Sequence, residues 1–354
     1  MSAAYRAIDW NRQKRLYDLT LTGLLALGLG SFIGVSLWVS PNLTAETLII
    51  RGCAVSALLL LHIILCIGPL ARLDPRFLPL LYNRRHLGVT MFLLGLVHGG
   101  FALVQFHALG DENPLVSVFT AYQEDYRLFT EGGWQFAHFP FEPFGVIALL
   151  ILFVMAATSH DFWLRNLGAS FWKTLHLAVY AAYGALLIHV ALGALQSERS
   201  RAYPLLLMLG FAVVAGLHLT AAHQESRLDS TKSKPDHEGF EEVCFVGEIA
   251  EGRGHVVHAG GRRIALFRHQ DRIFATSNVC RHQGGPVGEG RIVNGCITCP
   301  WHGWNYQPED GFSPPPFKEV IATYDTMIVG ARVWVSTKPN PSSTRCPGSV
   351  VTAP

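Results

Sequence analysis

The sequence predicts a membrane α-helical bundle of six transmembrane helices followed by a small all-β domain. Three observations predict it. The chain of 354 residues is 50% hydrophobic and only 15% charged, with a mean hydropathy of +0.27, too apolar for an ordinary soluble protein. Its long apolar runs all fall within the first 223 residues. Beyond residue 240 the pattern changes to short alternating runs such as Arg263-Ile264-Ala265-Leu266-Phe267 and Val333-Trp334-Val335, which have the period of strands. The net charge of +2 gives no reason to expect a nucleic-acid partner.

Taken in order, the predicted spans are 19–39, 52–70, 87–109, 144–158, 171–195 and 203–222. Most reach the ~20 residues that cross a ~30 Å hydrocarbon core. The fourth is short unless residues around Pro143 and Ser159 extend it. The first is too long for a signal peptide and lacks a small-residue cleavage site. Basic residues gather at the N-terminus (Arg6, Arg12, Lys14, Arg15), in the second loop (Arg72, Arg76, Arg84, Arg85), in the fourth (Arg165, Lys173) and after the last span (Arg227, Lys232, Lys234). The long third loop is acidic, with Asp111, Glu112, Glu124, Asp125 and Glu131 against Arg127. Arg51, Arg199 and Arg201 run against the trend. The balance predicts both termini in the cytoplasm of a bacterial-type inner membrane, and an even number of spans agrees. Membrane domain 1–223, polar linker 224–239, β domain 240–338 and a disordered Pro/Ser/Thr-rich tail 339–354 follow as the expected organisation. The seven cysteines show no disulfide framework, which suits a reducing compartment or lipid-buried thiols, and Cys296 reads as a small packed residue.

Two clusters carry the chemistry: Cys280-Arg281-His282 and, sixteen residues on, Cys299-Pro300-Trp301-His302. A structural zinc site is the rival reading of any such quartet. Mixed C-x-H and C-x-x-H turns fit a [2Fe–2S] centre better, because each turn gives one ligand to each iron: cysteines on one, histidines on the other. Neighbouring glycines (Gly284, Gly285, Gly303) let backbone N–H groups approach the sulfurs. Residues 240–338 resemble the Rieske family in its ferredoxin-like branch, and Gly311-Phe312-Ser313-Pro314-Pro315-Pro316-Phe317 looks like the family's proline loop over the cluster. The resemblance implies one cluster held by Cys280, His282, Cys299 and His302. Gly285 and Trp301 stand where the cytochrome bc branch has a disulfide, and Trp304 stands where that branch has a serine bonded to a bridging sulfide. Tyr306 matches the tyrosine that bonds a ligand sulfur. Fewer donors around the sulfurs predict a potential in the lower half of the Rieske range of about −150 to +300 mV.

Ionisable residues inside spans are functional candidates. Span three carries His86 and His98, span five His176 and His189. The two spans run in the same direction, so His86 shares a cytoplasmic level with His176, and His98 an outer level with His189. Two bis-histidine b haems would fit these levels. At ~100° per residue, twelve or thirteen steps do not return to one helix face, which counts against a straight helix serving both levels; Gly95 and Gly184 lie between the pairs. Hydrogen bonding to neighbouring helices is the alternative role for these histidines. His62 and His218 are reserve candidates, whereas His107, His160 and His223 read as interfacial.

Arg84-Arg85 before Leu87-Gly88, Val97-His98, and Trp172-Lys173-Thr174-Leu175-His176 with His189 make the first 223 residues similar to the ferric reductase-like transmembrane family, which includes ferric reductases and NADPH oxidases. That resemblance implies haem ligation by His98, His176 and His189, with His86 one residue or more short of the family spacing. The flavin and nicotinamide domain of many relatives has no counterpart: no G-x-G-x-x-G opens a helix after a strand. A Rieske oxygenase would need a second iron site downstream, but no histidine follows His302 in the remaining 52 residues. The expected function is a membrane electron-transfer protein, an oxidoreductase component rather than a self-contained catalyst. It would exchange electrons with a cytoplasmic donor or acceptor protein, through the cluster and one or two b haems, and pass them to an outer-face acceptor. The loop 111–143, with Trp134 and His138, is the expected outer docking surface. The alternative is a haem-free membrane anchor carrying a ferredoxin that supplies a soluble oxygenase.

Overall fold

The computed structural model describes residues 12–81, 84–110, 113–120, 129–130, 133–134, 141–159, 163, 167, 169–193, 195, 202–230, 235–237, 239–282, 284–301, 303–342 and 344–351. The membrane half consists of α1 (Arg12–Val39), α2 (Ala45–Leu73), α3 (Arg84–His107), α4 (Glu142–Ala157), α5 (Ala169–His176), α6 (Val179–Leu192) and α7 (Ala202–Ser230). Among the described residues, five stretches are long and apolar enough to cross a membrane: Arg15–Val39, Ala45–Leu73, Arg84–His107, Thr174–Leu192 and Ala202–Arg227. The expected fourth span, α4, is apolar but shorter.

Helix α2 starts where Thr44 accepts a hydrogen bond from the Thr47 N–H; Glu46 and Arg72 complement its two ends. It runs through the middle of the bundle, against α3 and α7, and buries Leu61 and Ile67 with Phe92 of α3, Ala148 of α4 and Ala182 of α6. Leu19, Leu24 and Trp38 of α1 and Leu205 and Met208 of α7 face outward. An apolar exterior around self-satisfied helical backbones is what a hydrocarbon solvent demands. The expected fifth span is two helices. Between them the N–H groups of Leu177, Ala178 and Tyr180 bond to carbonyls three residues back, not four. Such a turn rotates the chain ~120° per residue and changes the face that His189 presents relative to His176.

The β half contains β1 (Phe240–Phe245), β2 (Gly254–Ala259), β3 (Arg262–His269), β4 (Arg272–Ser277), β5 (Arg291–Val293), β6 (Cys296–Thr298), β7 (Asn305–Tyr306), β8 (Thr323–Tyr324), β9 (Thr326–Val329), β10 (Arg332–Ser336) and β11 (Ser349–Val350). One sheet has the order β8-β4-β3-β2, with β11 also on β4; a second runs β9-β10-β1 to the edge segment Pro235–His237; in the third, β7-β6-β5, the Cys299 turn joins β6 to β7, and the Cys280 turn lies on the connection from β4 to β5. Ile264, Leu266, Ile273, Val333 and Val335 fill the core of the larger sheets, and Phe267, Val287, Ile297 and Ile321 pack around Cys280 and Cys299.

Two boundaries differ from the sequence reading. The linker expected at 224–239 is helical as far as Ser230: α7 continues past the expected end of the last span at residue 222, with Glu225 engaged by two arginines. The tail expected to be disordered from 339 packs along the domain over most of its length. Ser349–Val350 pairs with β4, Ser349 Oγ donates to the Thr326 carbonyl, and Cys346 is buried with its N–H on the Glu309 carbonyl. Its composition is that of a loop, but its backbone groups find partners at a free sheet edge. Most of the loop 111–143 lies outside the described residues.

Candidate electron-transfer site

The two cysteine turns are built alike. Cys280 N–H donates to the Gly285 carbonyl and the Gly284 N–H to the Cys280 carbonyl; Cys299 N–H donates to the Trp304 carbonyl and the Gly303 N–H to the Cys299 carbonyl. The glycine at the fifth position of each turn has positive φ, +70° at Gly284 and +68° at Gly303, where a side chain would strain the backbone. Both cysteines are buried. A Cβ on Gly285 would stand 3.0 Å from Cys299 Sγ and from the Trp301 ring, so only glycine lets the turns close on each other.

Tyr306, fully buried, ties the first turn from below. The Arg281 N–H donates to its hydroxyl at 2.9 Å, and the hydroxyl lies 3.2 Å from Cys280 Sγ. Burial, then the neighbouring Cys280, push the phenol up from its usual range. The phenol keeps its proton, and against a Cys280 thiolate its O–H is the donor. The Trp304 ring lies on the His282 imidazole, centroids 4.3 Å apart and planes 8° from parallel. Its Nε1 donates to Ser313 of the proline loop, and Phe317 packs against it. Trp304 therefore fixes the plane of the His282 ring, and its own N–H is spent on Ser313. His302 lies outside the described residues.

In the bundle, His98 of α3 and His189 of α6 meet, with ring centroids 6.2 Å apart. Their Nδ1 atoms bond to the carbonyls of Ile50 and Phe141 at 3.0 and 2.9 Å. A carbonyl only accepts, so each Nδ1 carries the proton and each Nε2 keeps its lone pair. Helix α4 approaches at Gly145, where a Cβ would be 2.8 Å from the His189 ring. Nearer the β domain is a cavity of about 250 Å³, lined by His176, His218, Arg72, Arg84, Gly68 and Trp301 among others. His176 stacks on Trp172, with centroids 3.7 Å apart, and its Nδ1 bonds to the Trp172 carbonyl. Its Nε2 is buried, and the residue lines the cavity. His218 donates from Nδ1 to the Val214 carbonyl and contacts the Tyr180 hydroxyl through Nε2. His86 does not line this cavity; its Nδ1 bonds to Asp18 of α1 at 2.7 Å. His62 is similarly engaged, by the Leu58 carbonyl and the Tyr183 hydroxyl.

Residues 51–187 match the family described as ferric reductase like transmembrane component, and residues 239–325 match the Rieske [2Fe-2S] domain. The chain is a ferric reductase-like membrane component joined to a Rieske domain. Among its relatives is the ferredoxin component of the alkene monooxygenase system of Xanthobacter autotrophicus, 26% identical over 32% of this chain and 94% of the relative. The anthranilate 1,2-dioxygenase ferredoxin subunit of Burkholderia cepacia is 30% identical over 26% of this chain and 85% of its own. Mouse apoptosis-inducing factor 3 is 30% identical over 83 residues, only 14% of that protein. A membrane domain of one redox family and a Rieske domain in one chain make this an integral membrane electron-transfer protein with a [2Fe–2S] centre.

The buried thiols and the stacked His282 suit the Rieske cluster, which supplies a one-electron site. Asp18, Trp172, Tyr180 and Glu225 are site residues that sequence reasoning missed. Each acts across a helix–helix or domain contact, and no short motif marks it; Trp172, within the motif that ends at His176, is the exception that could have been found.

Proposed function

We propose that this protein passes single electrons between a cytoplasmic partner, its Rieske cluster and b haem held in the helix bundle, towards an acceptor at the outer face. The observation that carries this reading is the His98–His189 pair. Their ring centroids lie 6.2 Å apart, and the two imidazoles would hold one haem iron between them. Both rings present an unprotonated Nε2, and both are oriented by backbone carbonyls, the usual arrangement behind a metal-bound imidazole. His176 would ligate a second haem in the inner cavity, where Arg72 and Arg84 offer guanidinium groups to its carboxylates. The basic loops support cytoplasmic termini, six spans and a cytoplasmic Rieske domain. A bound haem supplies a one-electron site; the protein sets its position and potential.

A reduced-minus-oxidised visible spectrum of protein purified from a haem-sufficient host, with the haem-to-iron ratio, tests the reading. It predicts b-haem bands that His98→Ala or His189→Ala diminish while the cluster signal stays. Two relatives named as ferredoxins of oxygenase systems favour a second reading, a haem-free anchor that supplies a soluble oxygenase. That reading predicts cluster absorption alone.

A further inference from the structure

We infer that Trp301 wedges the cluster-binding turn onto the membrane helices and that Glu225 clamps it there, so that the Rieske domain is the fixed floor of the inner cavity. In sequence Trp301 stands between the ligands Cys299 and His302. In space it belongs to two cores at once: it packs with the residues around Cys280 and Cys299 and also against the buried core of the helix bundle. With Pro286 and Glu289 of the same domain it closes a cavity whose other walls are α2, α3, α4, α5, α6 and α7. Gly285 leaves the room in which its ring sits.

The clamp is separate from the wedge. Glu225, three residues past the expected end of the last span at residue 222, holds Arg263 of β3 through one oxygen at 2.7 Å and Arg72 of α2 through the other at 3.4 Å. One carboxylate thus bonds to the membrane domain and to the Rieske domain. Both ion pairs are partly sheltered, where such bonds fix geometry more than they add stability. An electron would then pass between the cluster and a cofactor in the cavity without the domain having to swing. That consequence rests on the proposed function; the docking itself does not.

Trp301 is a positioning residue, and amide hydrogen exchange of the full-length protein in lipid nanodiscs tests it. Trp301→Ala should speed exchange about tenfold or more in residues 284–290 and at the 218–230 end of α7, a loss of about 1.4 kcal/mol of docking or more. Trp301→Phe should keep most of the protection, and the cluster's EPR spectrum should persist. Glu225→Gln touches no cluster ligand and should loosen the same two segments. If Trp301→Ala loses its cluster, Glu225→Gln decides. Wild-type protection in Glu225→Gln, or in a cluster-loaded Trp301→Ala, overturns the inference. Missing haem bands would refute the electron route and leave this readout untouched.

Discussion

The histidine levels far from and near the Rieske domain, the expected outer and inner levels, look alike in the sequence and differ in the structure. At the far level His98 and His189 face each other across α3 and α6. At the near level His176 opens into a cavity, but His86 turns to Asp18 on α1. Helix α3 is continuous, and twelve residues at ~100° each leave His86 and His98 about a third of a turn apart. The α5–α6 strand of the bundle is broken by tight turns and can re-aim its two histidines. Similar spacing along two helices, twelve and thirteen residues, is therefore not similar placement; the local winding decides which rings converge.

The largest expected effect separates the levels outright. His189→Ala should abolish the outer haem signature in the visible spectrum, whereas His86→Ala should leave the spectrum unchanged; equal losses would erase the distinction. Gly145→Val should come next. Its side chain would enter the space of the His189 ring, and haem content per cluster should fall while iron–sulfur content holds. His218→Ala sharpens the inner level: any inner haem should keep its His176 attachment but shift its bands or lose a ligand, as read by low-temperature EPR.

Smaller effects test the Rieske side. Tyr306→Phe removes a hydroxyl proton given to Cys280, a bond that favours the more negative, reduced cluster. The potential should fall by about 60 mV, the one-electron equivalent of a charge-assisted hydrogen bond of about 1.5 kcal/mol. Redox titration by EPR measures it. The smallest concerns Glu289, whose carboxyl burial pushes up to about 7, with Glu225 adding to the rise and Arg72 and Arg263 opposing it. A raised carboxyl pKa means that the docked state binds an extra proton between the free value and about 7. Docking protection should therefore be greatest below that window and weaken as pH rises through about 7. Glu289→Gln should flatten that pH dependence of hydrogen exchange; an undiminished slope in the variant would assign it elsewhere.

Sequence by itself determined the two-part architecture and the membrane class, because these are encoded locally. Apolar length, a change of period at residue 240 and the two cysteine–histidine turns of a Rieske domain are each readable within a few dozen residues. It also nominated His86, His98, His176 and His189 without distinguishing their surroundings. Tertiary structure alone decided which histidines meet, that α7 carries Glu225 out to two arginines, that the tail completes a sheet edge, and that Trp301 belongs to both domains. These depend on how helices wind and which surfaces close on one another. Such contacts join residues far apart in the chain, and neither spacing nor composition records them.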